Sequence, residues 1–399
     1  MADNVQHKQA PVGLILSGGG ARAAYQVGVL LAVARLLPRR GVNPFPIICG
    51  TSAGAINAAA LAAGATDFKR SVFKLVHAWG ALTPDRVYRA GLLQLFGRAG
   101  HWVLSLLIGG MGRYNPRSFL DNAPLRELLG EMIDLAGIGQ SVEQGSLVAL
   151  SITASGYTSG ESVSFFQGDP ALDGWRRAKR IGVPVEIEMD HLMASSAIPL
   201  VFPAVHIRRE YFGDGSVRQI APISPAIHLG ARKLLVVGVA PQDEHGANRQ
   251  RTDAYPSLAQ VAGHLMNSVF LDSLETDLER LTRINRTLSK LPNDGASQLE
   301  LQPIEVLSIA PSQPLERLSI PHKSTFPPGL RFLLSGLGAF RRQGSVVASY
   351  LMFHGEYTRA LIQLGYKDAM AQRQALETFL GLSPQARPAG DEAATIAVD

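Results

Sequence analysis

The 399-residue sequence has a single cysteine, Cys49. A disulfide framework and a cysteine-rich zinc site are therefore excluded. Charge is sparse as well: Asp, Glu, Lys and Arg make up 18% of the chain against 46% hydrophobic residues. That balance is slightly oily and far from the low hydrophobicity and high net charge of a disordered chain. Aromatic residues reach 7%, and no basic run interleaves with them, so nucleic-acid binding has no support. No uninterrupted apolar stretch approaches the ~18 residues needed to span a bilayer. The opening MADNVQHKQA is polar with no apolar stretch behind it, and no secretory signal is legible. These absences lead to the expectation of a soluble or peripheral protein in a reducing, cytoplasmic compartment.

What the chain does hold is a modest positive balance, 38 Lys plus Arg against 33 Asp plus Glu. Such a surplus suits an anionic membrane surface, where each nearby basic residue adds ~1 kcal/mol, and equally a composition that simply favours arginine. At ~150 residues per domain the length allows two or three domains, or one large α/β domain. Val12 to Leu16 reads as a buried strand, glycines end it, and Ala21 to Leu37 has helical spacing up to Pro38. Ile47-Ile48-Cys49 is a second strand, followed from Thr51 by an alanine-rich helix. Strand, turn and helix in that order, twice over, begin a parallel α/β sheet. Residues 66 to 135 read as helical with breaks near Pro84, Gly109-Gly110 and Pro116. Leu147 to Phe166 reads as two strands around the Thr158-Ser159-Gly160 turn. From Pro184 come a strand-like VEIEM, a short helix DHLMASSA, a tight turn at Gly213-Asp214-Gly215, a helix over Ala221 to Leu229 and a buried strand KLLVVGVA. Tyr255 to Leu291 is a long, charged amphipathic helical segment of one helix or two, IEVLSIA is a strand between the loops Pro292 to Gln298 and Pro311 to Pro328, and the remainder is helical.

Gly50-Thr51-Ser52-Ala53-Gly54 is a G-x-S-x-G directly after an apolar strand and before a helix, the context a nucleophile elbow requires. Small residues flank Ser52 because the backbone turns sharply and the helix must pack close to the strand. Such a turn is expected to project the Ser52 hydroxyl into solvent; a tight glycine turn without chemistry is the alternative. The second signal is Ser17-Gly18-Gly19-Gly20-Ala21-Arg22 at the end of the first strand. Backbone N–H groups converging ahead of a helix suit an oxyanion or a phosphate. Gly18-x-Gly20-x-x-Ala23 also fits a dinucleotide fingerprint. That reading expects an acidic residue at the end of the second strand, which here ends in Cys49-Gly50-Thr51-Ser52.

A serine nucleophile needs a base. His228, His245, His264, His322 and His354 follow without a distinctive setting, and Ser52 comes too early for an ordinary α/β-hydrolase. Asp214, flanked by Gly213 and Gly215, is the better base candidate, with a plain Asp-Gly turn as the alternative.

Together these motifs resemble the bacterial patatin-like phospholipases. Gly18-Gly19-Gly20-Ala21-Arg22 looks like the family's oxyanion motif, Gly50 to Gly54 its nucleophile motif, and Asp214-Gly215 its dyad motif. Ala194-Ser195-Ser196-Ala197-Ile198-Pro199 with Phe202-Pro203 resembles its Ala-Ser-x-x-x-Pro block. Ser349-Tyr350-Leu351-Met352-Phe353 and Leu364-Gly365-Tyr366 are similar to segments of longer bacterial members. Ser216 departs from the usual glycine or alanine after Asp-Gly. The resemblance implies an α/β fold with a central, mostly parallel sheet between helices and a helical C-terminal extension. The expected division is a tail over 1–10, a catalytic domain over 11–310, the extension over 311–383 and a disordered tail over 384–399. It also implies a Ser52–Asp214 dyad without histidine, an oxyanion hole at Gly18, Gly19 and Gly20 aided by Arg22, an acyl-enzyme intermediate, and no cofactor or metal. Phospholipids or lysophospholipids would be the substrates. A soluble esterase or thioesterase, and a non-catalytic nucleotide-binding module using Gly18 to Gly20, are the alternatives. Arg22 would steady the glycine loop or meet an anionic head group, unless it is a surface arginine. Ser195 and Ser196 read as structural, and His191 and His206 as packing or surface residues.

Ala90 to Met111 is oily, with Trp102, Leu104, Leu106, Leu107 and Ile108 between Arg98 and Arg113. It forms either a buried helix pair or an interfacial helix or lid that enters the headgroup region of a membrane. On the second reading the protein touches the inner membrane peripherally through residues 90–111. Phe332, Leu333, Leu334 and Leu337 offer a weaker second patch.

Overall fold

The short apolar runs of the sequence become strands of one mixed sheet. In chain order they are β1 (Val12–Leu16), β2 (Ile47–Thr51), β3 (Ala149–Gly156), β4 (Ser162–Gly168), β5 (Trp175–Arg177), β6 (Arg180–Pro184), β7 (Val205–Ile207), β8 (Glu210–Asp214), β9 (Lys233–Val237) and β10 (Glu305–Ile309). They follow the order β10-β9-β1-β2-β3-β4-β6-β5, with β8 added to β3 and β7 to β8. The five strands from β10 to β3 run parallel. β4 and β8 both lie antiparallel to β3. This computed structural model describes residues 11–38, 42–91, 97, 100–101, 104–105, 107–108, 117–241, 255–270, 272–290, 301–341 and 344–382. The expected tails, the breaks at Gly109-Gly110 and Pro116, the loop Pro292 to Gln298, His245 and most of Ala90 to Met111, including Trp102 and Leu106, lie outside them.

Side chains alternate across a strand, and here they divide two cores. Leu14, Leu16, Ile48, Leu235 and Val237 face the larger one. Ile15, Ile47, Cys49, Leu234 and Val236 face the smaller one. Helices α1 (Ala24–Leu36), α2 (Ala53–Ala63) and α3 (Phe68–Gly80) cover the larger core. The smaller core is closed by Ala226 and Leu229 beside the short Ser224–His228 helix and by Leu274 and Leu281 of the Asp272–Leu288 helix. Both faces of the parallel strands are thus dry, which is why they read as continuous apolar runs.

α1 is buried along almost its whole circumference because the Gly355–Ala371 helix lies over it. A Cβ on Gly28 would stand 2.0 Å from the Ile362 carbonyl oxygen, and one on Gly365 would stand 2.1 Å from that of Tyr25. The two backbones touch at these glycines. Tyr25 reaches Asp368 through its hydroxyl at 3.1 Å, and Thr358 donates to the carbonyl of Trp79 at 2.6 Å. The segment after β10 is therefore knitted into α1 and α3.

Two local expectations are corrected. VEIEM is not a strand: pairing ends at Pro184 opposite Phe166, and the chain leaves the sheet to start a helix. Proline cannot donate to a ladder, and Glu188 forms a reciprocal cap with His191, whose Nδ1 accepts the Glu188 amide at 2.9 Å. The span Pro311 to Pro328 is not all loop, since it holds a helix over Glu316–Ser319 and a 3-10 helix over Ile320–Thr325. Pro321 sits in the first turn of the latter, where its missing N–H is not required. Within Tyr255 to Leu291 lie two helices, Leu258–Phe270 and Asp272–Leu288, the second of the two readings of that segment.

Candidate active site

The register of β3 brings the two candidate residues together. β2 runs parallel along one edge of β3 and stops with Thr51 opposite Thr153. β4 occupies the other edge from Ala149 to Ser155. β8 therefore takes the edge that β2 vacates, arrives from the opposite direction, and stops with Asp214 opposite Ala154. The ends of β2 and β8 meet head-on, and Ser52 is the next residue after β2. Asp214 is thus the last residue of a strand and not the middle of an isolated turn.

Ser52 Oγ donates a hydrogen bond of 2.6 Å to Asp214 Oδ2. Ser52 has φ 55 and ψ −130, a left-handed backbone that non-glycine residues rarely adopt. Two close approaches make this turn possible. A Cβ on Gly54 would lie 2.3 Å from the Leu16 carbonyl oxygen, and one on Gly215 would lie 2.1 Å from that of Thr153. Gly50 packs as tightly under the first turn of α2. Ser52 and Asp214 are 1% and 0% exposed. The expectation of a hydroxyl pointing into solvent is corrected: Ser52 is buried with its hydroxyl turned to Asp214, and Ser195 Oγ, at the end of the Met189–Ser195 helix, accepts the Ser52 amide at 2.9 Å.

Burial pushes the Asp214 carboxyl up from the ordinary range to about 6, against the hydrogen bonds from Ser52 and from the Ser216 amide, which favour the ionised form. The Ser216 amide reaches Oδ1 at 2.9 Å, so the serine that departs from the family pattern still supplies its backbone donor. The Asp214 amide donates to Ala197 at 2.9 Å, and Ser155 Oγ donates to the Asp214 carbonyl at 2.9 Å. Among the described residues no histidine is hydrogen-bonded to Ser52 or Asp214. His228 stacks on Trp175, His354 caps the Gly355–Ala371 helix and His322 meets Glu356.

Gly18, Gly19 and Gly20 form the buried turn after β1 and lead into a 3-10 turn over Gly20–Ala23. The loop borders the nucleophile turn, because Gly54 abuts the carbonyls of Leu16 and Ser17. Gln26 Nε2 holds the Ser17 carbonyl at 2.8 Å, and Asn57 Nδ2 joins Gln26 Oε1 at 3.0 Å. Arg22 is not a surface arginine. It is 2% exposed, and its guanidinium reaches Ser349 Oγ at 2.8 Å and Glu316 at 3.4 Å.

Ser195, read from sequence as structural, and Gln26 and Asn57, not singled out at all, are the supports that sequence reasoning undervalued. The available signal was a lone amide on each of two otherwise apolar helices. Cys49 is buried beside the site on β2, and burial pushes its thiol up, away from reactivity. Among the described residues no group of three or more His, Cys, Asp or Glu is arranged to hold a metal ion.

Residues 14–227, just over half of the chain, match the model of the patatin-like phospholipases. The chain belongs to the patatin-like phospholipase family. A cGAMP-activated phospholipase from Pseudomonas aeruginosa (strain BWHPSA011 / Pa011) is 28% identical over 217 residues, 52% of this chain and 53% of that protein. The match thus spans about half the relative's length. Among solved structures, VipD from Legionella pneumophila aligns with a TM-score of 0.36 and 13% identity, over 93% of this chain and 67% of the other. Human GIVD cytosolic phospholipase A2, in complex with methyl gamma-linolenyl fluorophosphonate and terbium chloride, aligns at 0.35 and 16% identity, over 96% and 61%.

Proposed function

We propose that this patatin-like chain hydrolyses carboxylic esters of phospholipids or lysophospholipids through a Ser52–Asp214 dyad and an acyl-enzyme. The observation that carries the reading is the 2.6 Å hydrogen bond from Ser52 Oγ to Asp214 Oδ2, a nucleophile within proton-transfer reach of a base. Asp214 takes the Oγ proton as Oγ bonds to the acyl carbon and the carbonyl electron pair moves onto oxygen. N–H groups of the Gly18–Gly20 loop meet that oxyanion. Its collapse breaks the ester C–O bond, and Asp214 returns the proton to the departing alcohol. A water molecule then attacks the acyl-enzyme, again giving its proton to Asp214. Collapse of this second intermediate breaks the acyl C–Oγ bond, Asp214 returns the proton to Ser52 Oγ, and the acid departs. A carboxylate with a pKa of about 6 is ionised at neutral pH yet is a stronger base than an exposed aspartate.

A narrow apolar cleft borders α2 and is the apolar surface nearest in sequence to the nucleophile turn, with Ile56 four residues after Ser52. Ile56 lines it with Trp79, Leu82, Leu125, Leu129 and Phe353 around a cavity of about 30 Å³, so an acyl chain would have to widen it. Leu104, Leu107 and Ile108 are strongly exposed, which supports peripheral membrane contact through residues 90–111. No helix of the described residues is long and apolar enough to cross a membrane. Ser52 is covered, so a substrate reaches it only after the covering elements shift; the naming of the Pseudomonas relative as cGAMP-activated makes cGAMP a trigger to include in assays.

The test is turnover of phospholipids, lysophospholipids and p-nitrophenyl esters, presented as liposomes or in solution, with and without cGAMP. Organophosphonate labelling runs alongside. Wild type is expected to release fatty acid and to be labelled at Ser52, and Ser52→Ala to lose at least ~10³-fold in rate and all labelling. Turnover of small esters alone would replace the lipid substrate with a soluble one. A wild type neither labelled nor active under any of these conditions would leave Ser52 without a chemical role. Leu107→Asp is expected to weaken flotation with anionic liposomes; unchanged flotation would remove residues 90–111 from the membrane contact.

A further inference from the structure

The glycine loop is anchored on three sides, and one anchor comes from far outside the family-matched segment. Toward the sheet, Gln26 and Asn57 hold Ser17 and Ala23 by their carbonyls. Toward the nucleophile, α2 presses on Leu16 and Ser17 at Gly54. The third side is the Ser345–Leu351 helix. Gly20 has φ +55, and the Tyr350 carbonyl oxygen lies 2.4 Å from where its Cβ would stand. The point of the loop that needs a left-handed backbone therefore rests directly on that helix.

Two residues on, Arg22 sends its side chain the same way. Its Nε donates to Ser349 Oγ at 2.8 Å, its Nη2 pairs with Glu316 Oε2 at 3.4 Å, and its guanidinium carbon lies 4.4 Å from the centre of the Tyr350 ring. Ser349 donates its own proton to the Val346 carbonyl at 2.6 Å, which orients its oxygen as an acceptor for Arg22. A buried guanidinium tolerates loss of its partners poorly, because the charge is then left without compensation. The clamp therefore fixes where Arg22 sits, and Arg22 belongs to the turn that begins with Gly20.

We infer that Ser349 and Glu316 are positioning residues for the oxyanion donors: through Arg22 they set the placement of the Gly18–Gly20 backbone relative to Ser52. They touch no substrate, and the inference rests on the hydrolase reading above. It assigns residues 316–351 a part in the chemistry, not only in packing. Preorganised donors contribute only when aimed where the charge develops, and a misplacement of about 1 Å costs on the order of 10²-fold in rate.

The experiment uses the full chain and compares Ser349→Ala, Ser349→Thr, Glu316→Gln and the control Glu356→Gln. Glu356 pairs with His322 on the exposed side of the same C-terminal helices and does not touch Arg22. Readouts are kcat and KM on the best ester of the panel and the second-order rate of organophosphonate labelling at Ser52. Ser349→Ala and Glu316→Gln are expected to lower kcat and the labelling rate about 10- to 100-fold with KM within about twofold. Ser349→Thr, which keeps the hydroxyl, restores most of the loss, and Glu356→Gln stays at wild-type rates. A purely structural role would move melting temperature without this split. Should Ser349→Ala fail to fold, Glu316→Gln decides, being isosteric and on a partly exposed side chain. Wild-type labelling and kcat in a folded Glu316→Gln and Ser349→Ala would overturn the inference while leaving Ser52-dependent hydrolysis intact. Absence of labelling in wild type would instead defeat the hydrolase reading, and the clamp would fall with it.

Discussion

Ser195 accepts the Ser52 amide at 2.9 Å and donates its hydroxyl to the Thr153 carbonyl at 2.6 Å, so a single side chain ties the strained turn to β3. A left-handed non-glycine residue costs roughly 1–3 kcal/mol and persists only where its surroundings hold it. Ser195→Ala leaves the buried Ser52 N–H without a partner, a penalty of about 1–3 kcal/mol. The variant is expected to unfold at lower urea concentration by that amount and to label more slowly with organophosphonate at Ser52. An unchanged midpoint together with an unchanged labelling rate would mean that the turn holds its own geometry.

What could be read from sequence was what lies within a few residues along the chain. Gly50 to Gly54 and Gly18 to Gly20 announce themselves because turn, close packing and strand end are contiguous. The apolar runs of β1, β2 and β9 are legible because both their faces are dry. Asp214 stands out as a candidate by its glycine neighbours, although its position comes from the register of β8 on β3, which no local pattern encodes. Arg22 could not be placed from sequence, since its partners Glu316 and Ser349 lie 294 and 327 residues away. Gly28 and Gly365 look like ordinary helix glycines until two helices cross at them. Burial of Ser52 is not legible for the same reason: Ser195 and Asp214, which meet its amide and its hydroxyl, lie 143 and 162 residues away.

With the proposed dyad, the Asp214 carboxyl is expected to carry the pH dependence. Burial raises its pKa from 3.8 to about 6, so the folded chain binds this proton more tightly than the unfolded one. The base form is lost as pH falls through about 6, and kcat/KM is expected to drop about tenfold per pH unit below that point. Stability runs the other way. The penalty for an ionised, buried Asp214 is complete above about pH 6 and is relieved as pH falls from there toward 3.8. Asp214→Asn should therefore abolish turnover yet raise the melting temperature at pH 7–8, with the gain vanishing near pH 4. A flat rate profile from pH 5 to 8, or a variant no more stable than wild type at pH 8, would count against a buried ionised base.

The apolar cleft beside Ile56 bears on chain length. Ala78 is half-buried and lines it, as does Leu129, which is 1% exposed. Ala78→Leu adds three carbons to the wall, and one misplaced methylene in a hydrophobic pocket is worth about 1–3 kcal/mol of discrimination. The ratio of kcat/KM for a long-chain ester to that for a butyryl ester is expected to fall at least about tenfold, with the butyryl rate unchanged. Leu129→Ala does the reverse, opening space and shifting the optimum to longer chains, while lowering stability by about 2–5 kcal/mol through the cavity it leaves. The two substitutions lie on different helices, Phe68–Gly80 and Ala123–Met132, and act in opposite senses, so a general loosening of the helices cannot mimic both. If neither moves the chain-length ratio, the acyl chain lies elsewhere, and the cleft is a packing defect between α2, α3 and their neighbours.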